Sequence, residues 1–166
     1  MKDLLKSTVW LGILSLVMVG FTLNTAPTTA NYKCMIQLAN YEGHGAYVVV
    51  SILDKGENYV ETIYVQGQDD EWYHDIPEWW KFFEKKKPEE LDGITGATVG
   101  GGQRTIRVLK IPADKINSGH HIRFETAVED QNYFKDDVQF ELTNENLKKK
   151  MEGKGYIRYI RMLPTS

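Results

Sequence analysis

Ala46-Tyr47-Val48-Val49-Val50-Ser51-Ile52-Leu53, then Asp54-Lys55-Gly56-Glu57-Asn58, then Tyr59-Val60-Glu61-Thr62-Ile63-Tyr64-Val65-Gln66, is the stretch on which the fold turns. β-Branched and aromatic side chains fill the first run almost without a polar break, the composition of a more fully buried strand. The five residues that follow are turn formers, so the two runs read as a β-hairpin. Working outward, further strand segments with period-two alternation lie at 32–39, 104–111, 121–129, 137–142 and 156–162. About seven short strands jointed by Gly, Asn and Asp predict a mainly β chain, a single immunoglobulin-like antiparallel sandwich. The pattern leaves the strand order open.

Two segments break the β pattern. Residues 77–87 begin with Pro77 at a first helical position, carry Glu78 behind it and end in lysines, as a short helix and its dipole prefer. Residues 144–151 predict a second short helix, capped by Asn144 and stopped at Gly153. Both are expected to connect strands.

The chain starts as a secretion signal does. Lys2 and Lys6 precede a nearly uncharged apolar stretch over 8–23, a polar stretch follows, and Thr28 and Ala30 suit the positions before a signal peptidase cut. The apolar core of that stretch, 9–21, is short for a membrane span, which needs about 20 residues. The reading is a signal peptide over 1–30, a mature domain over 31–166 beginning at Asn31, and export to the periplasm or another extracytoplasmic compartment. Cys34 is the one cysteine, so no internal disulfide forms, and Ala30-Asn31-Tyr32-Lys33 lacks the small and apolar residues that precede a lipidated cysteine. Cys34 is expected in a buried strand.

Several function classes drop out. The net charge of −3 with interspersed signs offers no basic stripe for nucleic acid, and Lys148-Lys149-Lys150 reads as a solvated helix face. His120 and His121, adjacent on a strand edge, point to opposite sides and do not share a metal. Asp69-Asp70-Glu71 and Asp75 match no calcium loop. No Ser-His-Asp or Cys-His arrangement is present, so no catalytic constellation and no metal site are expected.

The segment that can carry chemistry is Leu91-Asp92-Gly93-Ile94-Thr95-Gly96-Ala97-Thr98-Val99-Gly100-Gly101-Gly102. Gly93 and Gly96 permit backbone conformations closed to other residues, and Ala97 keeps the surface beside Thr98 bare. Consecutive N–H groups in such a turn can form a nest for a phosphate, with the Thr98 hydroxyl beside it.

Asp92-x-x-Thr95-Gly96-Ala97-Thr98 resembles the flavinylation motif D-x-x-[S/T]-G-A-[S/T] of exported electron-transfer proteins, among them the FMN-binding subunits of sodium-pumping quinone reductases. In those proteins an FAD:protein FMN transferase moves FMN from FAD onto the last hydroxyl of the motif. The resemblance implies FMN held through a phosphoester on Thr98, with Asp92, Thr95, Gly96 and Ala97 recognised by the transferase and Gly93 a further residue of the cofactor-binding loop. It departs in lacking a hydroxyl residue within Val99-Gly100-Gly101-Gly102, and those FMN-binding domains mix helix and sheet.

Over most of its mature length the chain is instead similar to a family of predicted periplasmic proteins of unknown function. The likeness rests on the early strand pair, the Trp-rich segment, the Gly-Ala-Thr loop and Ile122-Arg123-Phe124-Glu125-Thr126-Ala127-Val128-Glu129. Members are associated with PepSY-type membrane reductases and with the flavin transferase. The implied function is an exported electron carrier, with the transferase and a PepSY-type reductase or another envelope redox protein as partners. Trp79 and Trp80, with Trp72 and Tyr73, are candidates to cover the flavin face. The alternative is an immunoglobulin-like binding or assembly module in which exposed aromatics hold a partner and the glycine loop is structural.

Overall fold

The structure, a computed structural model, describes residues 28–85 and 95–165. Most of the expected signal peptide lies outside the described residues, as do Asp92 and Gly93. Among the described residues the strands are β1 (Thr29–Leu38), β2 (Tyr47–Leu53), β3 (Tyr59–Gln66), β4 (Thr95–Gly96), β5 (Arg104–Pro112), β6 (His121–Ala127), β7 (Tyr133–Glu141), β8 (Lys150–Glu152) and β9 (Ile157–Pro164), with one α-helix, α1 (Pro77–Phe83). They form two sheets, ordered β5-β1-β9-β8 and β4-β3-β2-β6-β7. The short β4 runs parallel to β3, and every other pairing is antiparallel. The expected architecture, two packed antiparallel sheets, is what the chain forms. β1 also takes up Thr29 and Ala30, paired with Pro112 and Ile111.

β2 sits between β3 and β6, and all seven of its residues are buried. Val48, Val50 and Ile52 point into the core between the sheets, against Ile36, Leu109, Phe124 and Ile160. Tyr47 and Val49 point the other way, under Tyr73, Ile76, Trp79 and Phe83. The segment over 70–83 is therefore a cover on the outer face of the sheet as well as a connection, and this is why β2 shows no polar side. α1 carries Pro77 at its start, Glu78 in its first turn and Lys81 in its last. It ends at Phe83, short of the expected residue 87. A 3-10 turn, Asp70–Asp75, precedes it, and the Asp69 carboxylate accepts from the Glu71 amide. That bond gives part of the acidic run a capping role.

The helix expected over 144–151 does not form. A 3-10 turn, Asn146–Lys148, is followed at once by β8, which pairs with β9. The N-terminal partner is the Thr143 hydroxyl, which accepts from the Asn146 amide, and not Asn144. Eight residues make a marginal helix, and pairing with β9 satisfies the same backbone groups. One buried carboxylate ties this hairpin to the other sheet. Asp137 of β7 accepts from the amides of Lys154 (2.9 Å), Gly155 (2.8 Å) and Ile157 (2.9 Å) and from the Thr126 hydroxyl (2.6 Å).

Candidate functional site

The motif loop crosses the rim from one sheet to the other. On entry, β4 pairs Thr95 with Val65 and Gly96 with Gln66. The Gly67 amide donates to the Gly96 carbonyl (2.5 Å), and the Gln66 side-chain amide donates to the Ala97 carbonyl (2.9 Å). On exit, Val99 is buried and bridges Ala46, while the Tyr41 hydroxyl donates to its carbonyl (2.9 Å). Ala97 and Thr98 are held between these fixed points, and both are exposed. The Thr98 side chain lies across Gly45, where a Cβ would stand 2.6 Å from its Oγ1. A hydroxyl on a braced, solvent-facing loop, over a residue with no side chain, can reach a bulky enzyme or carry a bulky group.

Gly96 is needed for a different reason from the expected one. Its backbone is extended, and positive φ occurs instead at Gly43, Gly67, Gly102 and Gly119. What excludes a side chain is close approach: a Cβ on Gly96 would stand 2.9 Å from the Tyr64 hydroxyl and 3.3 Å from an Arg107 guanidinium nitrogen. Arg107 Nε donates to that hydroxyl (2.7 Å). Burial raises the Tyr64 phenol, with the Arg107 hydrogen bond opposing it. None of the residues from 95 to 99 is left-handed, so Gly96 does not supply the turn expected of an anion nest, and Gly93 lies outside the described residues. The positive element beside this part of the loop is the half-buried guanidinium of Arg107. The glycines that follow shape the turn into β5: Gly101 is pressed against the Tyr41 backbone, and the Gly102 amide donates to the Ala39 carbonyl (2.8 Å).

The tryptophans divide. Trp79 is fully enclosed, its Nε1 donating to the Thr62 hydroxyl (2.8 Å) and its ring stacked on Phe83 at 4.8 Å, so no ring face is left for a ligand. Trp80 is half-buried and tilted against Tyr73. The aromatic cover still communicates with the loop, because the Tyr73 hydroxyl donates to the Gly67 carbonyl and the Gly67 amide to Gly96.

A second polar cluster went unread in the sequence. On the outer face of β6, fully buried Glu125 accepts from the hydroxyls of Tyr59 (2.6 Å) and Tyr133 (2.5 Å). Burial pushes its carboxyl up to about 7 against those two hydrogen bonds and the nearby Arg123 charge. Arg123, also buried, donates to Gln139 (2.6 Å) and pairs with Glu57 (3.3 Å). Of this cluster Glu57, Tyr59 and Arg123 line an open cleft of about 490 Å³, together with Glu78, Phe82 and Lys135. The available signal was Arg123 and Glu125 alternating with Ile122 and Phe124, which period two places together on one face.

Among the described residues no His, Cys, Asp and Glu side chains group as metal ligands, and no helix is long and apolar enough to cross a membrane. Neither the curated proteins nor the solved structures contain a match to this chain. A family model does match, over residues 29–159, from the start of β1 into β9. The chain belongs to the family of predicted periplasmic proteins DUF2271.

Proposed function

We propose that this periplasmic protein is an electron carrier whose FMN is joined through a phosphoester to Thr98. The observation that carries the reading is exposed Thr98, on a loop braced at Gly96 and Val99 with its hydroxyl lying over Gly45, within a sequence that follows the flavinylation motif. Attachment consumes FAD. The Thr98 oxygen bonds to the FMN-side phosphorus, the pyrophosphate bridge breaks, AMP leaves, and the hydroxyl proton passes to a base of the transferase. The flavin supplies the redox chemistry when bound, so the chain needs no acid or base of its own. Its residues position and bias: Thr98 provides the linking oxygen, Gly45 leaves room, and Arg107 offers positive charge on the side of Gly96. A covalent tether keeps a small cofactor from diffusing away after export. Electrons would pass between the tethered group and a membrane reductase of the PepSY type or another envelope redox protein.

The test is co-expression with an FAD:protein FMN transferase and inspection of a denaturing gel for flavin fluorescence. The wild-type band is expected to fluoresce, Thr98→Ser to retain the signal, and Thr98→Ala to lose it. Gly45→Ala, whose new methyl would collide with the Thr98 side chain, is expected to weaken it. A dark wild-type band beside a transferase that labels a known substrate rejects the reading and leaves a binding module with a structural glycine loop.

A further inference from the structure

Among the described residues no element covers the outer face of the four-stranded sheet, which has an unusual composition. The large apolar residues most exposed among those described are Ile106 (50%), Val108 (54%) and Leu163 (57%). The strand register puts all of them on this one face. Lys33 of β1 stands directly between Val108 of β5 and Leu163 of β9, and in the next row Met35 stands between Ile106 and Arg161. Directly paired residues share a sheet face, so the apolar side chains form one patch threaded by cations. Lys110 continues the face at one end and Arg104 at the other, with Lys150 on β8 beside Arg161. Glu152 is the acid in these rows, and it is paired with Lys150 at 3.2 Å. The whole chain carries −3, so this face opposes the net sign of the molecule.

We infer that this face docks on an anionic phospholipid surface, with Ile106, Val108 and Leu163 entering the headgroup boundary and Lys33, Lys110 and Arg161 meeting lipid phosphates. Grouped apolar side chains on a soluble domain mark an interaction surface. Basic residues beside them match the mix of apolar burial and electrostatic attraction that holds proteins on anionic bilayers. A second copy packed face to face would bring like charges together, which disfavours self-association. The face is an open sheet, suited to a broad, flat partner, and a periplasmic protein has a bilayer within reach. On β5, Arg107 points away from this face toward Gly96, so a bilayer held here borders the rim that carries Thr98. The inference stands whether or not Thr98 is modified.

The exported chain is floated with vesicles of phosphatidylglycerol and phosphatidylcholine in equal parts, or of phosphatidylcholine alone. Wild type is expected to float with the anionic vesicles and stay behind with the neutral ones, and added salt is expected to weaken binding. Partitioning is expected to fall about five-fold for each basic side chain removed in Lys33→Gln and Arg161→Gln. Ile106→Thr with Val108→Thr, which keeps β-branched residues in the edge strand, is expected to abolish flotation. Lys135→Gln, on the other sheet, is expected to float as wild type, and circular dichroism confirms that each variant is folded. Wild type that stays in solution, or floats equally with both vesicles, overturns the inference, and the former outcome points to an acidic protein as the occupant. Folded face variants that float like wild type overturn it as well.

Discussion

At Glu125 folding takes a carboxyl out of water and gives it two tyrosine hydroxyls in exchange. The exchange falls short for the charged form, so its pKa rises from 4.5 to about 7. The native state therefore binds more protons than the unfolded state between those values, and stability must fall as pH rises through that window. The contribution is complete below the unfolded pKa and gone above the folded one, a span of roughly 3 kcal/mol at most. Partly exposed carboxylates such as Asp54 and Glu78 have depressed values, held down by hydrogen bonds from Asn58 and from Lys81, and act in the opposite sense at lower pH. The clean measurement is thus a difference. Thermal unfolding of wild type and Glu125→Gln across pH should give similar stability in acid and a variant that becomes the more stable above about 7. A neutral amide can still accept from one tyrosine and donate to the other. If the wild-type slope persists in the variant, another group carries the titration.

At the scale of elements, Asp137 shows how a short hairpin is held. One oxygen accepts from the Lys154 and Gly155 amides and the other from Ile157 and Thr126, so β8 and β9 are fastened to β7 across the sheets. Asp137→Asn keeps the shape but replaces one acceptor oxygen with a donor, stranding buried N–H or O–H groups. We expect a loss of about 2–4 kcal/mol in urea unfolding, with faster amide exchange over 150–164 than elsewhere. Uniform exchange throughout would show that the latch acts on the whole domain. The same segment marks where sequence reading stops. The hairpin of β2 and β3 was legible because its turn residues are local and its apolar runs are long. β8 was not, because a three-residue strand has no periodicity of its own and is defined by β9 alongside it. The helix was legible from Pro77 and its flanking charges. Its role as a cover was not, since only contact with Tyr47 and Val49 shows which face it lies on. Within the loop, Thr98 could be singled out from the motif, while the need for glycine at 96 depends on Tyr64 and Arg107, distant in sequence.

For the molecule as a whole, one cysteine in an exported chain means that cohesion rests on packing and hydrogen bonds. Cys34 lies at the centre of that packing. It is fully buried in β1, across from Arg107 on β5 and Met162 on β9, and burial pushes its thiol up to about 12. Reaction with a thiol reagent needs both access and the thiolate, and the folded chain provides neither. β1 is paired on both edges, so exposing Cys34 means parting two strand pairs and opening the shared core, an event close to global unfolding. Native protein mixed with a maleimide or an aromatic disulfide should therefore label far more slowly than the unfolded chain. Its rate should rise with urea as steeply as the equilibrium unfolding constant does, because labelling then samples the open population. Fast labelling with no urea dependence would mean instead that β1 peels away locally. In that case the Thr98 rim would lose support too, since the Tyr41 hydroxyl that braces Val99 sits just beyond the end of β1.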